Sequence, residues 1–263
     1  MPDVILQHLE DGLLTITMNR PEHKNAMSPD FTAKLLLAAR FASDSPEVRA
    51  VLLKGAGGTF CVGGDVKGMN DPNRQRPGFD ERHRSLRARM EASRILHEMP
   101  KPVVAAIEGA AAGAGLSLAL ACDLRVVGEN AKITTAFVKV GLSGDHGGSY
   151  YLTKLLGSAK ARELYLLSPI LSGKDAHAIG MMTRVVPDAD VVRVATELAQ
   201  SLAQGPSITL GYIKKNINNA EKLGIEACFD GEAFHHARCG ETLDHKEAAA
   251  AFVQKRRPVF QNR

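Results

Sequence analysis

The chain has 263 residues, 44% of them hydrophobic and 24% charged, with a net charge of +4 and no Trp. That length and mix predict a soluble globular protein with one large domain, with or without an appendage. With aromatic residues at 5%, the base-stacking platforms of single-stranded nucleic-acid binders are not expected.

In chain order, residues 4–8 and 13–18 predict a hairpin turned at "EDG". Ser28 is a candidate N-cap, with Pro29 at the first helical position behind it. "RAVLLKG" (49–55) predicts a buried strand, and "GAGGTFCVGGD" (55–65) is too Gly-rich to be anything but a loop of special backbone geometry. Residues 72–78 read as a mobile connection, followed by a helix over 80–98. Residues 74–94 carry seven Arg against Asp80, Glu81 and Glu91, which suits a solvated helix face or attraction for a phosphorylated ligand. A nucleic-acid patch would need a fold motif that is not visible. "PVVAAIEG" predicts a strand, with a helix starting near Gly113. "DLRVVGE" (123–129) is another strand, "GLSGDHGGSYYL" (141–152) a Gly-rich turn into a helix, and the pattern from about Asp188 is helical. Strands alternating with helices, then a helical tail, predict an α/β core over 1–204 and a helical extension over 205–263.

Cys61, Cys122, Cys228 and Cys239 are widely spaced, which predicts free thiols in a reducing compartment. "MPDVILQHLEDG" lacks the basic-then-apolar pattern of a signal peptide, so a cytoplasmic location is expected. The apolar run 102–122 is not read as a membrane span, because Glu108 lies inside it and Pro102 and Gly109 divide it.

Three Gly-rich junctions carry the chemistry: "TFCVGGDVKGM" (59–69), "GAAAGAGLSLALACD" (109–123) and "VGLSGDHGGSYYL" (140–152). None fits a dinucleotide fingerprint or a phosphate-binding loop. The first two each present a backbone N–H beside residues too small to cover it. Two such groups aimed at one point would hold a developing oxyanion. Helix–sheet packing also selects Gly and Ala, and for the second stretch alone that reading weighs as much.

"FCVGGDVKGM" and "KPVVAAIEGAAAGAGLSLALACDLRVV" resemble the two signatures of the crotonase (enoyl-CoA hydratase/isomerase) superfamily. "MNRPEHKNAMS" (18–28) and "AFVQKRRPVF" (251–260) are similar to its terminal segments. The resemblance implies a spiral of strand–strand–helix units, with a helical C-terminal region that builds trimers, often stacked as hexamers. It implies an acyl-CoA thioester held through its carbonyl oxygen by the N–H groups of Gly64 and Ala114. Gly64, Asp65, Val66 and Lys67 would line the CoA, and Phe252 and Lys255 would reach a neighbouring subunit's CoA. No cofactor is implied beyond the coenzyme A of the substrate, and neither nucleic acid nor membrane is an expected partner.

The resemblance breaks at two places. Family hydratases hold water with two glutamates, and the matching positions here are Ser117 and Phe137. Ser117 reads as helix packing or a substrate contact, and Phe137 as the wall of an apolar acyl pocket. Asp145 remains, at a position where some isomerases and a dehalogenase of the family place a functional acid. Desolvated, it could shuttle a proton. It could instead cap the helix that follows. His146 is the next candidate base, though a surface loop position is its ordinary reading. His83 and His97 are expected to face solvent, and His235 and His236 lack metal-ligand company. Double-bond isomerisation with Asp145 as acid and base is the favoured activity. A hydratase with a non-standard site, or an acyl-CoA binder with little catalysis, is the alternative.

Overall fold

The computed structural model describes residues 3–69 and 77–262. Most of the 72–78 connection lies outside them, with Arg74 and Arg76 of the basic run. β1 (Ile5–Glu10) and β2 (Leu13–Met18) form the expected hairpin, with Asp11 and Gly12 at φ 48° and 82° in its tight turn. α1 (Pro29–Asp44) starts as its sequence requires: the Ser28 side chain accepts a hydrogen bond from the Phe31 N–H. β3 (Ala50–Gly55) follows, then a short turn α2 (Val66–Met69).

The helix read as continuous over 80–98 is two helices, α3 (Phe79–Arg89) and α4 (Glu91–Glu98), joined at Met90. α3 buries no residue, whereas α4 buries Ala92, Ser93 and Leu96 and packs on α1. Only the second half has an apolar face, so only it is held to the core.

β4 (Val103–Ile107), β5 (Ala110–Ala112), α5 (Ala114–Leu120), β6 (Leu124–Gly128) and β7 (Lys132–Thr134) come next. They lead into α6 (Gly148–Leu167), α7 (Gly173–Ala178), β8 (Arg184–Val186) and α8 (Val191–Ala203). The main sheet runs β1-β2-β3-β4-β6-β8, parallel except for the β1–β2 hairpin, and β5 pairs with β7 in a separate two-stranded parallel sheet. The period-2 alternation of the strands sorts the core. Val51, Leu53, Val103, Ala105 and Ile107 join the cluster with α1, α4 and α5. Leu52, Val104, Ala106 and Val126 face Val191, Ala195, Ala199 and Ala203 of α8. Both faces are covered, which is why β3 and β4 read as unbroken apolar runs.

α9 (Ser207–Ala220), α10 (Ile225–Gly240) and α11 (Leu243–Val253) complete the chain. α9 is tied down by Lys214, whose Nζ donates to the Leu96 and Lys101 carbonyls and to Asp123 Oδ2 at 2.8, 3.0 and 2.8 Å. Ile213, Ile217, Phe229, Phe234 and Phe252 are left exposed on these helices, and Leu223 in the turn between α9 and α10. None of the described helices is long and apolar enough to cross a membrane.

Candidate functional site

The first two junctions dock on one another through backbone. Cys61 bridges to Ala111 of β5: its N–H donates to the Ala110 carbonyl at 3.1 Å, and its carbonyl accepts from the Ala112 N–H at 3.0 Å. This approach is why the residues are small. A Cβ on Gly115 would lie 2.1 Å from the Cys61 carbonyl oxygen. A Cβ on Gly63, at φ 88°, would lie 2.7 Å from the Ala112 oxygen and 3.2 Å from the Ala114 nitrogen. The Gly63–Gly64 segment is thereby set against the start of α5.

Ala114 is the first residue of α5, so its N–H has no acceptor one turn back. Among the described residues, the Gly64 N–H has no acceptor either. Gly64 and Ala114 thus stand on adjacent backbone with both donors free. α5 is buried on every side, as its Ala- and Leu-rich sequence demands.

The third junction and the segment before it pack against α5. Phe137 is buried in a short turn (Phe137–Val140), and its ring stacks on Tyr165 with centroids 6.0 Å apart and planes 4° apart. Ser117 is buried, with its hydroxyl donating to the Gly113 carbonyl at 3.3 Å and pairing with the Tyr165 hydroxyl. Neither position carries a carboxylate.

Asp145 does not cap α6: the cap residue is Gly147, and no side chain bonds there. Its Oδ1 is buried without a partner among the described residues. Burial pushes its pKa up to about 6, against the opposing pull of the Arg89 guanidinium. His146 is not a surface residue. It is 3% exposed, at φ 49°, with a buried and unpartnered Nδ1. Burial, helped by the Arg89 charge, pushes its pKa down to about 4, so it is neutral at pH 7.

The remaining candidates fall elsewhere. Asp65 has local work: its Oδ1 accepts from the Gly68 N–H at 3.0 Å, and its Oδ2 lies 3.6 Å from Arg20. Val66 is exposed on α2, and Lys67 shares that turn by its backbone, its side chain lying outside the described residues. Phe252 is 85% exposed on α11, and Lys255 follows that helix at φ 53°. Within one chain, no described contact joins these two to the other candidates. His97 is not solvent-facing: it is half-buried against Tyr150 and Tyr151, because α4 turns that side inward. No cluster of metal-ligating side chains occurs among the described residues.

Tyr165 and Arg89 escape a sequence reading. Arg89 is one of seven Arg in its run, and nothing in the spacing singles it out. In α3, residues 82–88 are exposed, while Arg89 is half-buried and close enough to act on both Asp145 and His146.

Comparison with known proteins assigns this architecture. The enoyl-CoA hydratase/isomerase family model matches residues 8–263. The 1,2-epoxyphenylacetyl-CoA isomerase of Escherichia coli is 38% identical over 261 residues, covering 99% of each chain. A probable enoyl-CoA hydratase of Rhodobacter capsulatus is 33% identical over 264 residues, covering 98% of each. Among solved structures, a putative enoyl-CoA hydratase from Streptomyces coelicolor superposes with TM-score 0.93 at 31% identity, covering 99% of this chain and 94% of that one. With a full-length family match, full-length relatives and a shared crotonase fold, the chain belongs to the enoyl-CoA hydratase/isomerase family.

Proposed function

We propose that this chain is an acyl-CoA isomerase in which Asp145 carries the proton. The observation behind this reading is the Asp145 carboxyl group: half-buried, with a buried Oδ1 that has no partner among the described residues, and raised to about 6, at a site with no carboxylate at 117 or 137. A base needs a free, desolvated carboxylate whose pKa lies near working pH. His146, held near 4, is the weaker base of the two.

In this reading the Gly64 and Ala114 N–H groups hold the thioester oxygen. Asp145 takes a proton from the carbon next to the thioester carbonyl of an enoyl substrate. The double bond shifts, and negative charge gathers on the oxygen that the two N–H groups face. The same carboxyl group returns the proton two carbons further along. Atoms and electrons balance within the substrate, so the step calls for no cofactor. The name of the E. coli relative, an isomerase of an oxygenated ring acyl-CoA, suggests a ring-bearing acyl group as a second substrate class to try.

The rival reading is hydration, because the R. capsulatus relative is named a probable hydratase. It would need a positioned water without the two family glutamates. Incubation with 2-enoyl, 3-enoyl and ring-bearing acyl-CoA esters, read by mass, separates the two. Conserved mass with a shifted double bond supports isomerisation. A gain of one water as the main product refutes it, and an unchanged substrate throughout leaves only a binder.

The proposal extends to assembly. The exposed apolar residues of α9–α11, with Phe252 and Val253 at the end of α11, suit burial between copies of the chain. Light scattering at micromolar concentration should give a trimer or hexamer, and a stable monomer would refute this.

A further inference from the structure

Tyr165 reaches the site by an unusual route. α6 is interrupted at Gly157, whose φ of 77° and ψ of 162° are not helical. In a straight helix, residues 148 and 165 would stand roughly 25 Å apart. The break folds the second half back on the first, and the two positions meet. A Cβ on Gly148 would fall 2.5 Å from the Tyr165 hydroxyl oxygen and 2.2 Å from Ser117 Oγ. A Cβ on Gly144 would lie 3.1 Å from Tyr165 Cε1. The ring is also stacked on Phe137.

The phenol is therefore boxed in by Ser117, Phe137, Gly144 and Gly148, next to Asp145. Burial and the nearby Asp145 charge raise its pKa to about 12, so it is a neutral phenol at pH 7. Positions 117 and 137 are where the family resemblance would place the carboxylates that hold water. In this chain the same neighbourhood holds a hydroxyl pair and a ring stack.

We infer that Tyr165 is a reaction-specificity residue: its phenol fills the space between Ser117, Phe137 and Asp145 and keeps out the water that would add to the substrate. The inference rests on the reading that Asp145 acts on a bound enoyl thioester. It goes beyond that reading by naming the residue that decides which product forms.

The test compares Tyr165→Ala with Tyr165→Phe. With an enoyl-CoA substrate, product mass gives the ratio of hydrated to isomerised product. Tyr165→Ala should raise that ratio about tenfold or more, equivalent to ~1.4 kcal/mol between the two routes. Tyr165→Phe keeps the ring and should keep the wild-type ratio, whatever its rate. A second readout needs no turnover: the Asp145 carboxyl titration followed by NMR. The charged or titratable groups around it are Arg89, Cys61, His146 and Tyr165 itself. Water admitted by Tyr165→Ala should return the carboxyl from about 6 toward the ordinary 3.8, and Tyr165→Phe should not. A folded Tyr165→Ala with unchanged product ratio and unchanged titration overturns the inference. So does an equal change in both variants, which would assign the effect to the hydroxyl. If Tyr165→Ala fails to fold, Tyr165→Leu leaves part of the same space open and is read the same way. If the wild type turns over no acyl-CoA, the isomerase reading fails alone, and the titration still decides whether Tyr165 excludes water.

Discussion

The two halves of the candidate site are made of different material. One is backbone: Gly64 and Ala114, placed by Cys61 against β5 and by glycines with no room for a side chain. The other is side chain: Asp145, His146, Ser117, Phe137 and Tyr165, gathered by a Gly-rich loop and a broken helix. The backbone half cannot be altered without moving the core, because its donors are part of the packing. The side-chain half can change residue by residue while the fold stays. That division suits a family whose relatives carry both isomerase and hydratase names. On the proposed reading, holding the thioester would be built into the fold, and the choice of reaction would be left to the side-chain half.

The hardest test of this division is Gly115→Ala. Its Cβ would meet the Cys61 carbonyl oxygen at 2.1 Å and the carbonyl carbon at 2.7 Å, both backbone atoms. Overpacking typically destabilises by ~1–3 kcal/mol. Here the obstacle cannot rotate away, so thermal unfolding should show a loss at or above that range, together with lost acyl-CoA binding. A variant with wild-type melting and binding would mean that the two junctions are not rigidly joined.

Asp145→Asn and Ala114→Val should separate the halves by their kinetics. Asp145→Asn cannot take a proton, so turnover should fall by about 10²–10⁴-fold with little change in affinity for a non-reactive acyl-CoA. Ala114→Val puts bulk where the proposed thioester would lie, so calorimetry should show affinity falling together with turnover. If Asp145→Asn weakened binding and spared turnover, or Ala114→Val changed neither, the halves would not have these separate duties.

What could be read in the sequence follows the same line. Backbone placement demands small residues at close approaches, so the Gly- and Ala-rich junctions 59–69 and 109–123 stand out in the bare sequence, while Gly64 and Ala114 within them are picked out by the family resemblance. Long apolar runs and the Ser28–Pro29 start are local signals, and β3, β4 and α1 follow from them. The three-residue strands β5 and β7 are too short to show alternation, and only their pairing defines them. The break at Gly157 is a single glycine within an otherwise helical pattern, so nothing local announces that Tyr165 folds back toward Gly148. The empty faces of Gly144 and Gly148 are the one trace, and they say that something large fills them without saying what. A histidine in a loop or on a polar helix ordinarily lies at the surface, so the sequence places His146 and His97 there. Their burial comes from contacts between distant segments.

The smallest expected effect lies in pH, and it belongs only to the side-chain half. The Asp145 carboxyl has its folded-state pKa raised from 3.8 to about 6. As pH climbs through that window, the unfolded chain gives up the proton first, so this group lowers stability progressively and keeps it lowered above 6. The His146 imidazole has its folded-state pKa lowered from 6.5 to about 4. Its contribution is fully present above 6.5 and is lost as pH falls toward 4, because the unfolded chain takes up the proton first. The two slopes oppose one another between about 4 and 6, so in the wild type they largely offset. Asp145→Asn removes one side of that balance, and its stability relative to wild type should rise with pH across the window. His146→Asn, chosen because Asn accepts a left-handed φ, should show the opposite trend. Ala114→Val, on the backbone half, should run parallel to wild type at every pH. Denaturant midpoints at pH 4, 5, 6 and 7 give all four profiles. Parallel profiles for all three variants would mean that neither Asp145 nor His146 is desolvated in the folded protein, and the proton-carrying role of Asp145 would lose its physical basis.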